Sequence, residues 1–135
     1  MKHIILGYDE TPAADHALAR AAELAKTFEA KVTVASIAPV LHGRGVGPID
    51  PVDPPARHEL QLQRAKDKLA ELGIQAETVN GLGDPARALV TIADEREADM
   101  IVVGTRELRG LERLLLGSVS ESVEHKAHCD VLIVH

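Results

Sequence analysis

The sequence predicts an α/β fold, a parallel sheet with helices on both faces. Three observations carry this. Short apolar runs without alternation recur along the chain, and each reads as a strand buried on both sides. Segments with apolar residues at helical spacing lie between them. The only aromatic residues are Tyr8 and Phe28, so the core is built from Ile, Val, Leu and Ala, which suits a β-branched sheet under Ala-rich helices that approach closely.

The elements follow in order. His3 to Tyr8 is a first strand, closed by Asp9. Thr11 and Pro12 open a helix as N-cap and first residue, and Ala14, Leu18, Ala21, Ala25 and Phe28 form its apolar stripe. Lys31 to Ile37 is a second strand. Residues 39–57 hold five of the seven prolines together with Gly43, Gly45 and Gly47, and read as a long, mobile loop near the mouth of any site at the strand ends. A helix from about Arg57 to Leu72 buries Leu62, Ala65, Leu69 and Leu72. Gln75 to Val79 is a weaker strand. Asp84 and Pro85 start a helix with Ala86, Leu89, Val90 and Ala93 inward. Asp99 to Gly104 is a fourth strand. Ser118-Val119-Ser120-Glu121 has the form of a capping box for a helix running to about His128, and Val131 to Val134 closes the chain. Strands alternating with helices imply a parallel sheet with helices on both faces. We expect one domain spanning 1–135, with the 39–57 loop inside it.

Composition narrows the function. With 15 Lys+Arg against 21 Asp+Glu the net charge is −6, which argues against nucleic acid as a partner. No apolar run approaches the length of a membrane span and no secretory leader is evident, so the expectation is a cytoplasmic protein with no membrane partner. Cys129 is the sole cysteine, which excludes an internal disulfide, and a packed, inert thiol suits its place beside a strand. Among the seven histidines only His125 and His128 share helical spacing, and their position near a helix C-terminus is explained by the dipole, so no metal site is expected. Gly43-Arg44-Gly45-Val46-Gly47 imitates a phosphate loop but lacks the Lys-Ser/Thr and the strand-to-helix setting.

In an open parallel sheet, ligands bind outside the carboxyl ends of the strands, where strand order reverses. Gly7 to Asp9, Ile37 to Pro39 and Gly104 to Arg106 can gather there, joined by Gly117 to Ser120 at a helix N-terminus. That last pattern is equally the pattern of a well-capped helix. Tyr8 either flanks such a ligand or packs near the top of the sheet.

Val103-Gly104-Thr105-Arg106-Glu107, the stretch Leu108 to Leu116, and Gly117-Ser118-Val119-Ser120 resemble the Gly-x2-Gly-x9-Gly-(Ser/Thr) signature of nucleotide-binding members of the universal stress protein family. The opening Ile4 to Thr11, Gly83-Asp84-Pro85 and the closing Cys129 to Val134 resemble other parts of that family, so the likeness covers the chain outside the 39–57 loop. The resemblance implies a five-stranded sheet in the order 3-2-1-4-5, of the adenine-nucleotide alpha-hydrolase-like type. It implies a homodimer paired through the last strands, here Val131 to Val134, that binds ATP, AMP or cyclic AMP, with Mg²⁺ accompanying the phosphates. The positions it assigns to the nucleotide are Gly7, Tyr8, Asp9, Ile37, Val103, Gly104, Thr105, Arg106, Gly117, Ser118, Val119 and Ser120. The implied role is a stress-response or regulatory binding module, with slow ATP hydrolysis at most.

One position departs from the signature: its second glycine falls at Glu107. A side chain there crowds the backbone approach, and its charge opposes a triphosphate by a few kcal/mol at about 4 Å and a surface-like dielectric. Glu107 could equally point away or help to hold Mg²⁺. Arg106, Arg109 and Arg113 could offset it or form a solvated mixed-charge surface. The alternative function is therefore a dimeric interaction protein that binds no nucleotide.

Overall fold

The computed structural model describes residues 1–38, 55–105 and 119–135. Five strands, β1 (His3–Gly7), β2 (Lys31–Ala38), β3 (Ala76–Leu82), β4 (Met100–Gly104) and β5 (Asp130–Val134), form one parallel sheet in the order β3-β2-β1-β4-β5. Four helices join them: α1 (Pro12–Phe28), α2 (Pro55–Glu71), α3 (Pro85–Glu95) and α4 (Val119–Lys126). The fold is the one expected.

Each central strand feeds two cores because successive side chains point to opposite faces. Ile4, Leu6, Val32, Val34 and Val102 pack under α1 and α2 with Ala17, Leu18, Ala21, Leu62, Ala65 and Leu69. Ile5, Ala35, Ile101 and Val103 pack on the other face with Ala86, Leu89, Val90 and Ala93 of α3 and Val123 of α4. The unbroken apolar runs of β1 and β4 are the sequence mark of this double burial.

Thr11 caps α1 by accepting a hydrogen bond from the Ala14 N–H at 3.1 Å, with Pro12 in the first turn. Asp84 caps α3 in the same way through the Arg87 N–H at 2.9 Å, again followed by proline. The small side chains of α1 let it lie against the sheet so tightly that a Cβ on Gly104 would come within 2.5 Å of the Ala13 carbonyl carbon.

The elements differ from expectation at their ends. Phe28 does not complete the α1 stripe; it stands half-exposed at the final turn. Leu72 lies past the end of α2 and is exposed, because the chain turns away at Gly73 with φ of +84°. The third strand runs on to Leu82, as β2 offers it partners through Ala38, although its outer side chains are exposed. The first strand ends at Gly7, with the Tyr8 N–H still donating to the Ala35 carbonyl at 3.0 Å. The helix beginning at Val119 ends at Lys126, two residues early, and β5 starts at Asp130. The expected loop over 39–57 is corrected at its end: α2 starts at Pro55, where proline suits the first helical position. The remainder of that loop, 39–54, lies outside the described residues, as does 106–118.

Candidate functional site

The helices α1 and α2 cover one face of the sheet and α3 and α4 the other, so strand order reverses between β1 and β4 and a crevice opens at their carboxyl ends. Beyond β1 the backbone turns sharply through Glu10, whose φ of +62° is left-handed. Asp9 is fixed in this turn. Its Oδ1 accepts from the Thr11 hydroxyl at 2.6 Å and from the Thr11 N–H at 3.2 Å, which ties the carboxylate to the cap of α1.

Side chains of α2 hold the same turn from outside. Arg64 pairs with Glu10 at 2.9 Å and Lys68 with Asp15 of α1 at 2.8 Å. The Tyr8 hydroxyl donates to Asp15 at 2.6 Å and accepts from Lys68 at 3.2 Å. Burial of Tyr8, followed by its bond to the Asp15 carboxylate, pushes its hydroxyl up to about 12. Burial would raise Asp15, but the bonds from Lys68 and Tyr8 outweigh it and hold the carboxyl below its ordinary value. The bonds to Asp15 and Tyr8 raise Lys68 in turn.

The crevice is open to solvent and holds about 80 Å³ of free space, less than a closed small-molecule site. Its two sides differ. Toward α3 and α4 it is lined by Ile37, Pro85, Leu89, Val103 and Val119, all apolar. Toward α1 and α2 it is lined by Tyr8, Asp9, Ser36 and His58, with Ala14 between them. Ser36, His58 and Gln61 form a buried polar cluster. Ser36 Oγ lies 2.6 Å from His58 Nδ1 and donates to Gln61 Oε1 at 3.2 Å.

Of the residues expected at the site, Gly7, Tyr8, Asp9, Ile37, Val103, Gly104 and Val119 come together on the crevice. Two stand elsewhere. The Thr105 N–H donates to the Val134 carbonyl at 2.8 Å and so faces β5, while Ser120 is buried in the first turn of α4. Arg106, Glu107, Gly117 and Ser118 lie outside the described residues. Ser36 and His58 were missed. The signal for them was present, since His58 and Gln61 continue the Leu62, Ala65 and Leu69 face one turn earlier, and Ser36 interrupts an apolar strand.

Away from the crevice, burial raises the half-buried Cys129 thiol, with the nearby Asp94, Asp130 and Asp99 carboxylates acting the same way. His128 pairs with Asp94 at 3.1 Å. Among the described residues no three His, Cys, Asp or Glu side chains gather as a metal site, and no helix is long and apolar enough to cross a membrane.

The model of the universal stress protein family matches residues 1–135. The chain is 35% identical over 138 aligned positions to universal stress protein MJ0531 of Methanocaldococcus jannaschii, covering 98% of this chain and 81% of that protein. It is 47% identical over 73 positions to universal stress protein YxiE of Bacillus subtilis; that match takes in 54% of this chain and spans about half (49%) of YxiE. Among solved structures, a universal stress protein crystallised in complex with cyclic AMP superposes with a TM-score of 0.78 at 31% identity, covering 99% of this chain and 96% of that one.

Proposed function

This chain belongs to the universal stress protein family, and from that premise we propose that it binds an adenine nucleotide in the crevice between β1 and β4, acting as a dimeric regulatory or stress-response module. The observation that carries this is the two-sidedness of the crevice. An adenine ring needs an apolar wall, supplied by Ile37, Leu89, Val103 and Val119, and a ribose needs hydrogen-bonding groups opposite, supplied by Asp9 and its neighbours. The solved relative in complex with cyclic AMP supports the same reading. Val119 opens α4 at the crevice, so the helix N-terminus favours the phosphate end there, with Gly104, Arg106, Gly117 and Ser118 of the signature segment preceding it in sequence. ATP, AMP and cyclic AMP are the candidates. Mg²⁺ would enter with the phosphates of ATP, and a cytoplasmic place of action fits such ligands.

The protein acts by binding; slow ATP hydrolysis is the most it does chemically. Isothermal calorimetry with ATP, AMP and cyclic AMP tests this, and absence of heat with all three at millimolar concentration refutes it. Glu107, standing where the signature has glycine, favours a second reading, a dimer that has lost its nucleotide. Glu107→Gly separates the two: it strengthens ATP more than adenosine if the side chain faces the phosphates. Dimerisation would run through β5, an edge strand whose apolar side chains remain partly exposed.

A further inference from the structure

We propose that Gly81 of β3 is a positioning residue for the apolar wall of the crevice: it leaves a notch that seats the end of the Ile37 side chain and keeps it out of the space a base would fill. This rests on the nucleotide reading above and adds to it a residue outside the crevice and outside the glycine signature. Ile37 and Gly81 are register partners on β2 and β3, so their side-chain positions share the face under α3. A Cβ on Gly81 would stand 2.6 Å from Ile37 Cδ1, well inside the contact distance of two carbon atoms. The Ile37 side chain therefore reaches sideways over the backbone of β3. Since β2 lies between β3 and β1, that direction leads away from the crevice between β1 and β4.

Glycine inside a strand weakens it and marks a place where another group comes close. Here the group is the Ile37 methyl, and a side chain at 81 would expel it. Its retreat is confined. Ala88 Cβ and Ile92 Cδ1 each lie 3.8 Å from the same point, so α3 closes the space above β3. The opening left is the crevice, which Ile37 already lines and which holds only about 80 Å³ of free space. A methyl driven back into so small a space competes with the base. The displaced atom is the end of a flexible side chain, so the cost to the fold is small and the effect falls on the ligand.

The test is a double-mutant cycle on the full chain, read by calorimetry with AMP, or with ATP or cyclic AMP where one of these binds tighter. Gly81→Ala weakens the nucleotide about tenfold, the worth of one methylene in a pocket. Made together with Ile37→Val, which removes Cδ1, the same substitution changes affinity less than twofold relative to Ile37→Val alone. This rescue separates the seating of Ile37 from a general loosening of β3, which Ile37→Val would not repair. In wild type, an NOE joins the Ile37 δ1 methyl to the Gly81 α protons and persists when the protein is saturated with nucleotide. If Gly81→Ala fails to fold, as thermal unfolding without ligand would show, that NOE decides. Unchanged affinity in Gly81→Ala, an equal loss in both backgrounds, or absence of the NOE from the bound protein overturns the role of Gly81 alone. A wild type that binds none of the three nucleotides at millimolar concentration overturns the nucleotide reading itself.

Discussion

Gly104 is held to glycine by packing as well as by any ligand, and Gly104→Ala measures the difference. A Cβ at this position would stand 2.5 Å from the Ala13 carbonyl carbon, 2.6 Å from its oxygen and 2.8 Å from the Ala14 nitrogen. All three are backbone atoms of the first turn of α1, so no rotamer change relieves them. Ordinary contact begins near 3.4 Å, so the turn must retreat by roughly 1 Å. That turn is fixed by its Thr11 cap and, through Thr11, by Asp9. Overpacking of this kind costs about 3 kcal/mol, the upper end of the usual range because rigid atoms are involved. Gly7 supplies the control. A Cβ there meets Leu89 Cδ1 and Val103 Cγ1 at 3.1 Å, side-chain ends that can move, and about 1 kcal/mol is expected. Urea unfolding without ligand gives both values from midpoint shifts at constant slope. Nucleotide affinity should also fall in Gly104→Ala, because the cap that carries Asp9 withdraws with α1. Equal stability losses in the two variants, or a larger one for Gly7→Ala, would refute the reasoning.

Two further outcomes follow from the same geometry. Tyr8 is the only tyrosine and the chain has no tryptophan, so tyrosinate absorbance follows this one group; its native midpoint should lie at about 12, against the model-peptide value of 10.0 in denaturant, and Asp15→Asn should bring it down. Because the folded pKa is raised, this contribution to stability is complete below pH 10 and is lost as pH rises through about 12, whereas the lowered Asp15 contributes above its ordinary carboxylate pKa and is lost as pH falls through its folded value. Asp15 and Lys68 are each more than 40% exposed, so solvent screening limits their pair to under about 1 kcal/mol; a native Tyr8 midpoint near 10 would contradict the network. At the sheet edge, the Val134 carbonyl accepts from Thr105 within the chain, so by strand alternation Ile133 turns its N–H to the open side. Ile133→Pro should therefore weaken a β5-paired dimer in light scattering at a protein concentration where wild type is dimeric, and an unaffected dimer would place the interface elsewhere.

Fold and strand order were legible because they depend on local signals that repeat: Thr11-Pro12 and Asp84-Pro85 announce their helices, and apolar runs such as Ile4 to Leu6 announce strands buried on both faces. Phe28 was misplaced because helical spacing says which residues could share a face but not how far the underlying sheet extends. The site was legible only on the side built from strand ends, since Gly7, Ile37 and Gly104 stand at or near the carboxyl ends of β1, β2 and β4 and Asp9 just beyond β1. The contribution of α2 had a local mark, polar His58 and Gln61 on the face of Leu62, Ala65 and Leu69, but nothing local said which strand end that face would meet. Ser36 meets His58 across 22 positions and Glu10 meets Arg64 across 54, contacts that exist only once the chain between β2 and α2 has brought the helix back over the sheet. That return has a functional consequence. Arg64 and Lys68 grip the turn that carries Asp9, while His58, about two turns earlier on the same helix, lines the crevice beside it. Movement of α2 would therefore be felt at the crevice from two directions, through the ion pairs of Arg64 and Lys68 and through the wall that His58 lines.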